Sequence, residues 1–361
     1  MKNRGQLDVS VSRRSFLKGA AAVAAGAGLT GLPFGRLAMA AGPMVSLRAG
    51  ASDPEGSTAQ AKSLGTFCQL ASKLSNGELN VQPFYQSLGV EQQLAQAVRS
   101  GSVDIGYISS SNVARFTDAF LQFDLPFLFK NDRAYVDMLE NHPAGKKAIA
   151  QLEKDLGVKV LLTTTHAYDA EINGTDLQTR DKLVTVPAGM RGLKLRTTST
   201  PVELFILRAY GANPTPVDWG QLYSALQQGV VVGNAGTYLV PSVSIKLYEV
   251  AKYYTAIGFR NNVNPFFMNQ KKFDSLTPFQ QKALLEAADQ TKSLAGQYAR
   301  ELVKADIDVM KNAAVQIYYP TRDEMAQWLA IRATVWQQVA DQFKGKIDLG
   351  LAEEIFKLSP R

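Results

Sequence analysis

Gly192-Leu193-Lys194-Leu195-Arg196, Tyr210-Gly211-Ala212-Asn213-Pro214-Thr215-Pro216 and Leu222-Tyr223-Ser224-Ala225-Leu226-Gln227-Gln228-Gly229 follow one another closely between Met190 and Gly233. Leu193 to Thr197 reads as a short strand. Thr200-Pro201-Val202-Glu203 then supplies an N-cap, a proline at the first helical position and a capping-box glutamate. Arg196 therefore falls near the carboxyl end of a strand, just before a helix begins. In open α/β sheets ligands bind at that rim, where the helix N-terminus adds unpaired N–H donors and positive potential. The pattern returns at Pro216-Val217-Asp218, where Asp218 is expected to cap a helix whose face carries Leu222, Ala225 and Leu226. Trp219 then lies at the mouth of that helix, placed to pack on a ligand.

Outward from this stretch, strand-like and helix-like segments alternate. Val45 to Ala49, Leu79 to Phe84, Val103 to Ile108 and Val158 to Thr163 read as strands. Helices are expected from an Asp53-Pro54 cap to about Ser75, over Glu91 to Ser100, Asn131 to Glu140 and Pro143 to Leu156. This rhythm predicts α/β lobes with mostly parallel sheets. From Thr277-Pro278-Phe279-Gln280 to about Ala314, helical periodicity runs through Ala283, Leu284, Ala287, Leu294, Tyr298, Leu302 and Ile307. One helix of that length is roughly 50 Å long, more than a single small lobe needs. The alternative is two helices broken near Gly296.

The amino terminus reads as an export signal. Ser12-Arg13-Arg14-Ser15-Phe16-Leu17-Lys18 precedes a mild apolar run, Gly19 to Leu32, and a small-residue exit at Ala38-Met39-Ala40. This is a twin-arginine pattern over residues 1 to 40, and it implies a periplasmic location. The apolar run is shorter than the roughly 20 residues a membrane span requires, so no stable insertion of the mature chain is expected. Those 40 residues carry Lys2, Arg4, Arg13, Arg14, Lys18 and Arg36 against Asp8, a net of +5, so the formal +7 of the whole chain falls to +2 without them. Nucleic-acid binding loses its electrostatic basis. The lone cysteine, Cys68, excludes an intramolecular disulfide and lies on an apolar helical face with Leu64, Phe67 and Ala71. With only His142 and His166, and without a Gly-x-Ser-x-Gly elbow or a phosphate-cradling lysine loop, enzymatic readings find little support. His142 before Pro143 reads as a capping or surface residue, and His166 as a structural residue close to the expected cleft.

Taken together, Arg196 and its surroundings resemble the second half of a solute-binding protein of the tripartite ATP-independent periplasmic (TRAP) transporters, dicarboxylate-binding type. Similar signatures run throughout: Lys73-Leu74-Ser75-Asn76-Gly77-Glu78-Leu79, Gly101-Ser102-Val103-Asp104-Ile105-Gly106, Asp124-Leu125-Pro126-Phe127-Leu128-Phe129 and Leu247-Tyr248-Glu249-Val250-Ala251-Lys252-Tyr253. The resemblance implies a type II-like periplasmic binding fold, with two α/β lobes around a ligand cleft and a long helix spanning both. Lobe one would comprise residues 41 to 165 with a return segment from about 255 to 361, and lobe two residues 166 to 254. The implied role is a monomeric, non-enzymatic receptor that captures a small organic anion, needs no cofactor and delivers its cargo to a TRAP membrane permease. A sensor that presents solute to a membrane kinase shares the fold, and a periplasmic hydrolase is the weaker class.

On the same resemblance, Arg196 matches the arginine that binds the ligand carboxylate, and Trp219 the aromatic at the pocket wall. Three departures bear on the ligand. Asp169, within His166-Ala167-Tyr168-Asp169-Ala170-Glu171, stands where the family commonly carries a second arginine. In Val232-Gly233-Asn234-Ala235-Gly236 the family's ligand-binding asparagine maps to Gly236, with Asn234 beside it. Ser109 and Asn112 fit a pocket rebuilt for a different solute. Tyr168, Asp169, Asn234, Asn112, Ser109 and Gly236 are therefore expected to line the ligand site with Arg196 and Trp219. One cation facing one carboxylate suits a hydroxy, keto or amino monoacid better than succinate-like diacids. Asp169 and Glu171 are also the candidates for a Ca²⁺ that bridges to the ligand.

Overall fold

Two mixed sheets organise residues 44–198 and 200–358, which the computed structural model describes. The expected export signal lies outside these residues. The strands are β1 (Val45–Ala51), β2 (Leu79–Tyr85), β3 (Ile105–Tyr107), β4 (Val158–Thr164), β5 (Thr175–Thr179), β6 (Lys194–Thr197), β7 (Asn213–Pro216), β8 (Gly233–Thr237), β9 (Tyr253–Arg260), β10 (Asn264–Asn269) and β11 (Gln316–Tyr318). One sheet has the order β2-β1-β3-β10-β4, the other β11-β9-β5-β8-β6-β7. β1 pairs in parallel with β2 and β3, and β6 with β7 and β8. β5 and β10 run antiparallel to both of their neighbours. Each sheet is thus mostly parallel, as expected, with one reversed strand: β10 in the first and β5 in the second. β5 and β10 each follow a direct crossing between the sheets, whereas β11, reached through the helix Pro278–Asn312, runs parallel to β9.

Those crossings set the lobe boundaries. The chain leaves the first sheet through residues 165–174 and returns through residues 261–263. A return near 255 is therefore too early: β9 belongs to the second sheet, where it pairs with β5 from Thr175↔Arg260 to Thr179↔Tyr253. β11 lies in that sheet as well. The helices Arg322–Ala330 and Arg332–Gln342 do not simply return to lobe one either. Trp328 donates through Nε1 to Thr185 O at 2.9 Å, while Trp336 donates to Pro126 O at 2.8 Å. Their indoles share one apolar core with Val202, Ile206 and Leu207 of the helix Pro201–Ala209 and with Phe127 and Phe129.

The long helix is continuous from Pro278 to Asn312, 35 residues, and begins with a capping box between Thr277 and Gln280. Its first half buries Leu284, Ala287 and Ala288 in the core of the first sheet, with Leu47, Phe67, Cys68 and Phe266. The second half buries Val303, Ile307 and Met310 against Tyr238, Leu239 and Tyr254. One rod thereby carries two apolar stripes, one for each lobe. Gly296 does not break it. A Cβ there would lie 2.8 Å from Cδ1 of Tyr168, so glycine is required by the close approach of that ring.

Candidate functional site

β6 presents Arg196 between Asn234 of β8 and Thr215 of β7, its register partners. The side chain is only 5% exposed. Its Nε donates to Val217 O at 3.0 Å, and Nη1 to Thr237 Oγ1 at 3.3 Å and Asn234 Oδ1 at 3.5 Å. Among the described residues no hydrogen bond uses Nη2, which leaves one edge of the fork for an anion. The Trp219 ring lies 5.8 Å from the guanidinium carbon. Burial draws the pKa of Arg196 below its ordinary value, while the charges of Glu203, Asp218 and Glu91 hold it up. It remains a cation.

The local helix starts differ from expectation. Asp218 precedes a short 3₁₀ turn, Trp219–Gln221, and its side chain makes no capping bond. Thr200 likewise caps nothing with its hydroxyl, because Glu203 turns inward and accepts from Thr197 Oγ1 at 2.8 Å and Thr198 N at 3.0 Å. Asp53 is not a cap either. Thr58 caps the helix Ala59–Leu74, and Asp53 accepts from Tyr107 Oη at 2.6 Å.

In the first lobe a carboxylate, Glu91, gathers its own donors. It is the first residue of the helix Glu91–Ser100 and accepts from Ser109 N at 3.1 Å, Ser109 Oγ at 2.9 Å and Asn112 Nδ2 at 2.7 Å. Ser109 and Asn112 thus come together around a carboxylate. Burial raises the pKa of Glu91, its bonds to Asn112 and Ser109 oppose that rise, and the neighbouring Asp53 charge adds to it. The Glu91 charge is one of three that raise the pKa of Arg196, after those of Glu203 and Asp218. Sequence reading missed Glu91, although a glutamate at the first position of a predicted helix was visible. That placement is usual for stabilising the helix dipole and conceals a site role.

Other expected site residues lie elsewhere. Asp169 is held between Arg300, at 2.7 Å, and Arg133, at 3.3 Å. Partial burial pushes its pKa up, but the two arginines outweigh that and keep it below the usual carboxylate range. Tyr168, with φ of 55°, packs on Gly296 of the long helix. Glu171 accepts from Tyr319 Oη at 2.8 Å. These three residues join the crossing segment to the long helix and surface, so Asp169 is not the carboxylate that faces Arg196. A Ca²⁺ held by Asp169 and Glu171 does not fit, since each is already engaged by donors. Among the described residues no three His, Cys, Asp or Glu side chains gather as a metal-holding group. Gly236, with φ of +104°, faces inward: a Cβ there would lie 3.7 Å from Nη2 of buried Arg260. The His166 ring lies tilted against Tyr238, 4.7 Å between centroids and 40° between planes, and burial pulls its pKa down to about 3, so the ring is neutral. His142 caps the helix Pro143–Leu156, accepting from Ala144 N at 3.2 Å.

Comparison with known proteins agrees with this architecture. Residues 50–342 match the model of bacterial extracellular solute-binding proteins, family 7, and residues 10–30 that of the twin-arginine translocation signal. The chain is 31% identical over 257 residues to the 2,3-diketo-L-gulonate-binding periplasmic protein of Escherichia coli (strain K12), covering 70% of this chain and 74% of the relative. A TRAP periplasmic solute-binding protein from Roseobacter denitrificans, solved with bound β-D-glucuronate, superposes with a TM-score of 0.77 at 22% identity, covering 87% of this chain and 100% of that one. One from Shewanella oneidensis with bound succinate gives 0.77 at 22%, covering 87% and 98%. Among the described residues no helix is long and apolar enough to cross a membrane. The chain is an exported periplasmic protein and belongs to family 7 of the bacterial extracellular solute-binding proteins, the receptors of TRAP transporters.

Proposed function

We propose that the protein captures a hydroxylated monocarboxylic acid of the sugar-acid class and passes it, as a monomer and without catalysis or a bound cofactor, to a TRAP-type permease. The observation that carries this reading is Arg196, a buried guanidinium with one free edge beside Trp219; Glu91, held by Ser109 and Asn112, is taken as the carboxylate of the opposite wall. The ligand carboxylate takes the Nη2 edge of Arg196 and stacks along Trp219. Hydroxyls at the far end donate to Glu91 and accept from Asn112. A second ligand carboxylate at that end would be repelled by Glu91, by roughly 3 kcal/mol for like charges ~6 Å apart at an effective dielectric constant of 20. The E. coli relative's diketo-gulonate and the glucuronate of the Roseobacter neighbour fit this charge pattern. The succinate bound by the Shewanella neighbour shows that the fold alone does not choose. No observation favours the sensor or hydrolase readings.

A thermal-shift screen with D-glucuronate, D-galactonate, 2,3-diketo-L-gulonate and succinate tests the proposal. Ligand at one hundred times its Kd adds about 2.7 kcal/mol of stability. Sugar acids are expected to raise Tm and succinate to leave it unchanged. A response to succinate alone would overturn the sugar-acid reading.

A further inference from the structure

Behind the Arg196 wall lies a second, fully buried arginine that the ligand reading leaves unused. Arg260 ends β9, just before the chain crosses back to the first sheet, and is buried with Asp124 and Glu203. Its Nη2 pairs with Glu203, and its Nη1 donates to Asp124 Oδ1 and Ser111 Oγ, both at 3.1 Å. Each partner leads to one wall of the cleft. Glu203 accepts from Thr197 Oγ1, Thr198 N and Thr198 Oγ1, the two residues that directly follow Arg196. Ser111 belongs to the short helix Ser110–Val113, whose N-cap is Ser109 and which carries Asn112, the two ligands of Glu91. Arg260 is thus a strut between the turn that aims the cation and the turn that aims the carboxylate.

We propose that Arg260 and Glu203 are positioning residues for ligand capture: the guanidinium of Arg260, forked between Glu203 and Ser111, sets where Arg196 stands relative to Glu91. Two further features support the assignment. Burial works against an ionised Glu203, yet Arg260, the threonine donors and Arg196 together hold its carboxyl below the ordinary range, so the charge is kept at the joint. Gly236 closes over the pair with a positive φ, and a Cβ there would approach Glu203 Oε1 to 3.8 Å, so the strut is packed beneath backbone rather than side chain. A structural ion pair alone is weak support for stability, since buried pairs are often replaceable by neutral groups. A pair that spans two walls of a site acts on geometry instead.

The proposal rests on Arg196 as the ligand anchor, so the test has one arm that uses no ligand. The protein is labelled with 5-fluorotryptophan and the Trp219 fluorine resonance, assigned with Trp219→Phe, is followed in the unliganded state in Glu203→Gln and in Arg260→Met combined with Asp124→Asn. Trp219 reports because its ring lies against Arg196, and buried Trp328 serves as the folding control. In both variants the Trp219 resonance is expected to move while that of Trp328 stays, with a loss of at least tenfold in D-glucuronate affinity by calorimetry. A Trp219 resonance unchanged in a variant whose Trp328 resonance is native overturns the proposal. Should the combined variant not fold, the near-isosteric Glu203→Gln decides alone. If Arg196 is not the anchor, only the glucuronate arm fails, and the fluorine arm still reports on the strut.

Discussion

Arg196 is held by Val217 O, Thr237 and Asn234 through Nε and Nη1, which fixes the guanidinium plane before any ligand arrives. Lysine at this position would keep the charge but lose both the fork and these anchors. Arg196→Lys is therefore expected to weaken sugar-acid binding by more than tenfold, within the about 2–5 kcal/mol typical of a desolvated charge-assisted contact. Calorimetry with D-glucuronate checks this, and wild-type affinity in the lysine variant would remove Arg196 from the anchor role. Its place was legible because a strand end followed by a Pro-started helix leaves little freedom locally. Asp169 was not, because alignment within a crossing segment fixes neither direction nor partner, and Arg133 and Arg300 come from distant parts of the chain.

Among the elements, the long helix shows how a local rule yields to packing. Glycine within a helix interior is about 1 kcal/mol less favourable than alanine, which invites a break at Gly296. The helix continues because both halves are packed in separate cores and the Tyr168 ring occupies the space of the missing Cβ. Gly296→Ala should gain the propensity term yet lose more to overpacking, a net destabilisation of about 1–2 kcal/mol. The same substitution in a Tyr168→Ala background should be neutral or stabilising. Denaturant unfolding of the four proteins in this cycle measures the difference, and additive effects would mean that the two residues do not collide.

Across the whole molecule the crossings are tied by a buried polar network. Asp132 accepts from Tyr238 Oη at 2.7 Å and Asn261 Nδ2 at 2.8 Å, and Tyr238 Oη accepts from Asn262 N at 2.6 Å. The His166 ring lies tilted against this tyrosine, and among the described residues its buried Nδ1 has no hydrogen-bond partner. With a folded pKa near 3 against the ordinary 6.5, His166 binds fewer protons in the folded than in the unfolded state between those values. Its contribution is complete above about pH 6.5 and declines as pH falls, by at most about 1.4 kcal/mol per pH unit. His166→Phe keeps an aromatic ring against Tyr238 and removes the titration. Subtracting its stability from that of the wild type between pH 7 and pH 4 should show wild type losing ground as the solution is acidified. A difference independent of pH would place His166 in water.

What the sequence determined by itself was whatever depends on neighbours along the chain: the export signal, the strand and helix order, the apolar period of the long helix and the strand-end position of Arg196. Tertiary structure decided what depends on encounters between distant segments. That β5 and β10 are the reversed strands is set by their pairing with strands distant along the chain, which no local periodicity encodes. Glu91 meets its donors Ser109 and Asn112 only when the fold brings their turn to its helix. Asp53 and Glu203, both suited to capping helices, are drawn away by Tyr107 and Arg260. A buried carboxylate goes to the donors that best replace its lost water, and those donors are fixed by the fold rather than by the residues beside it.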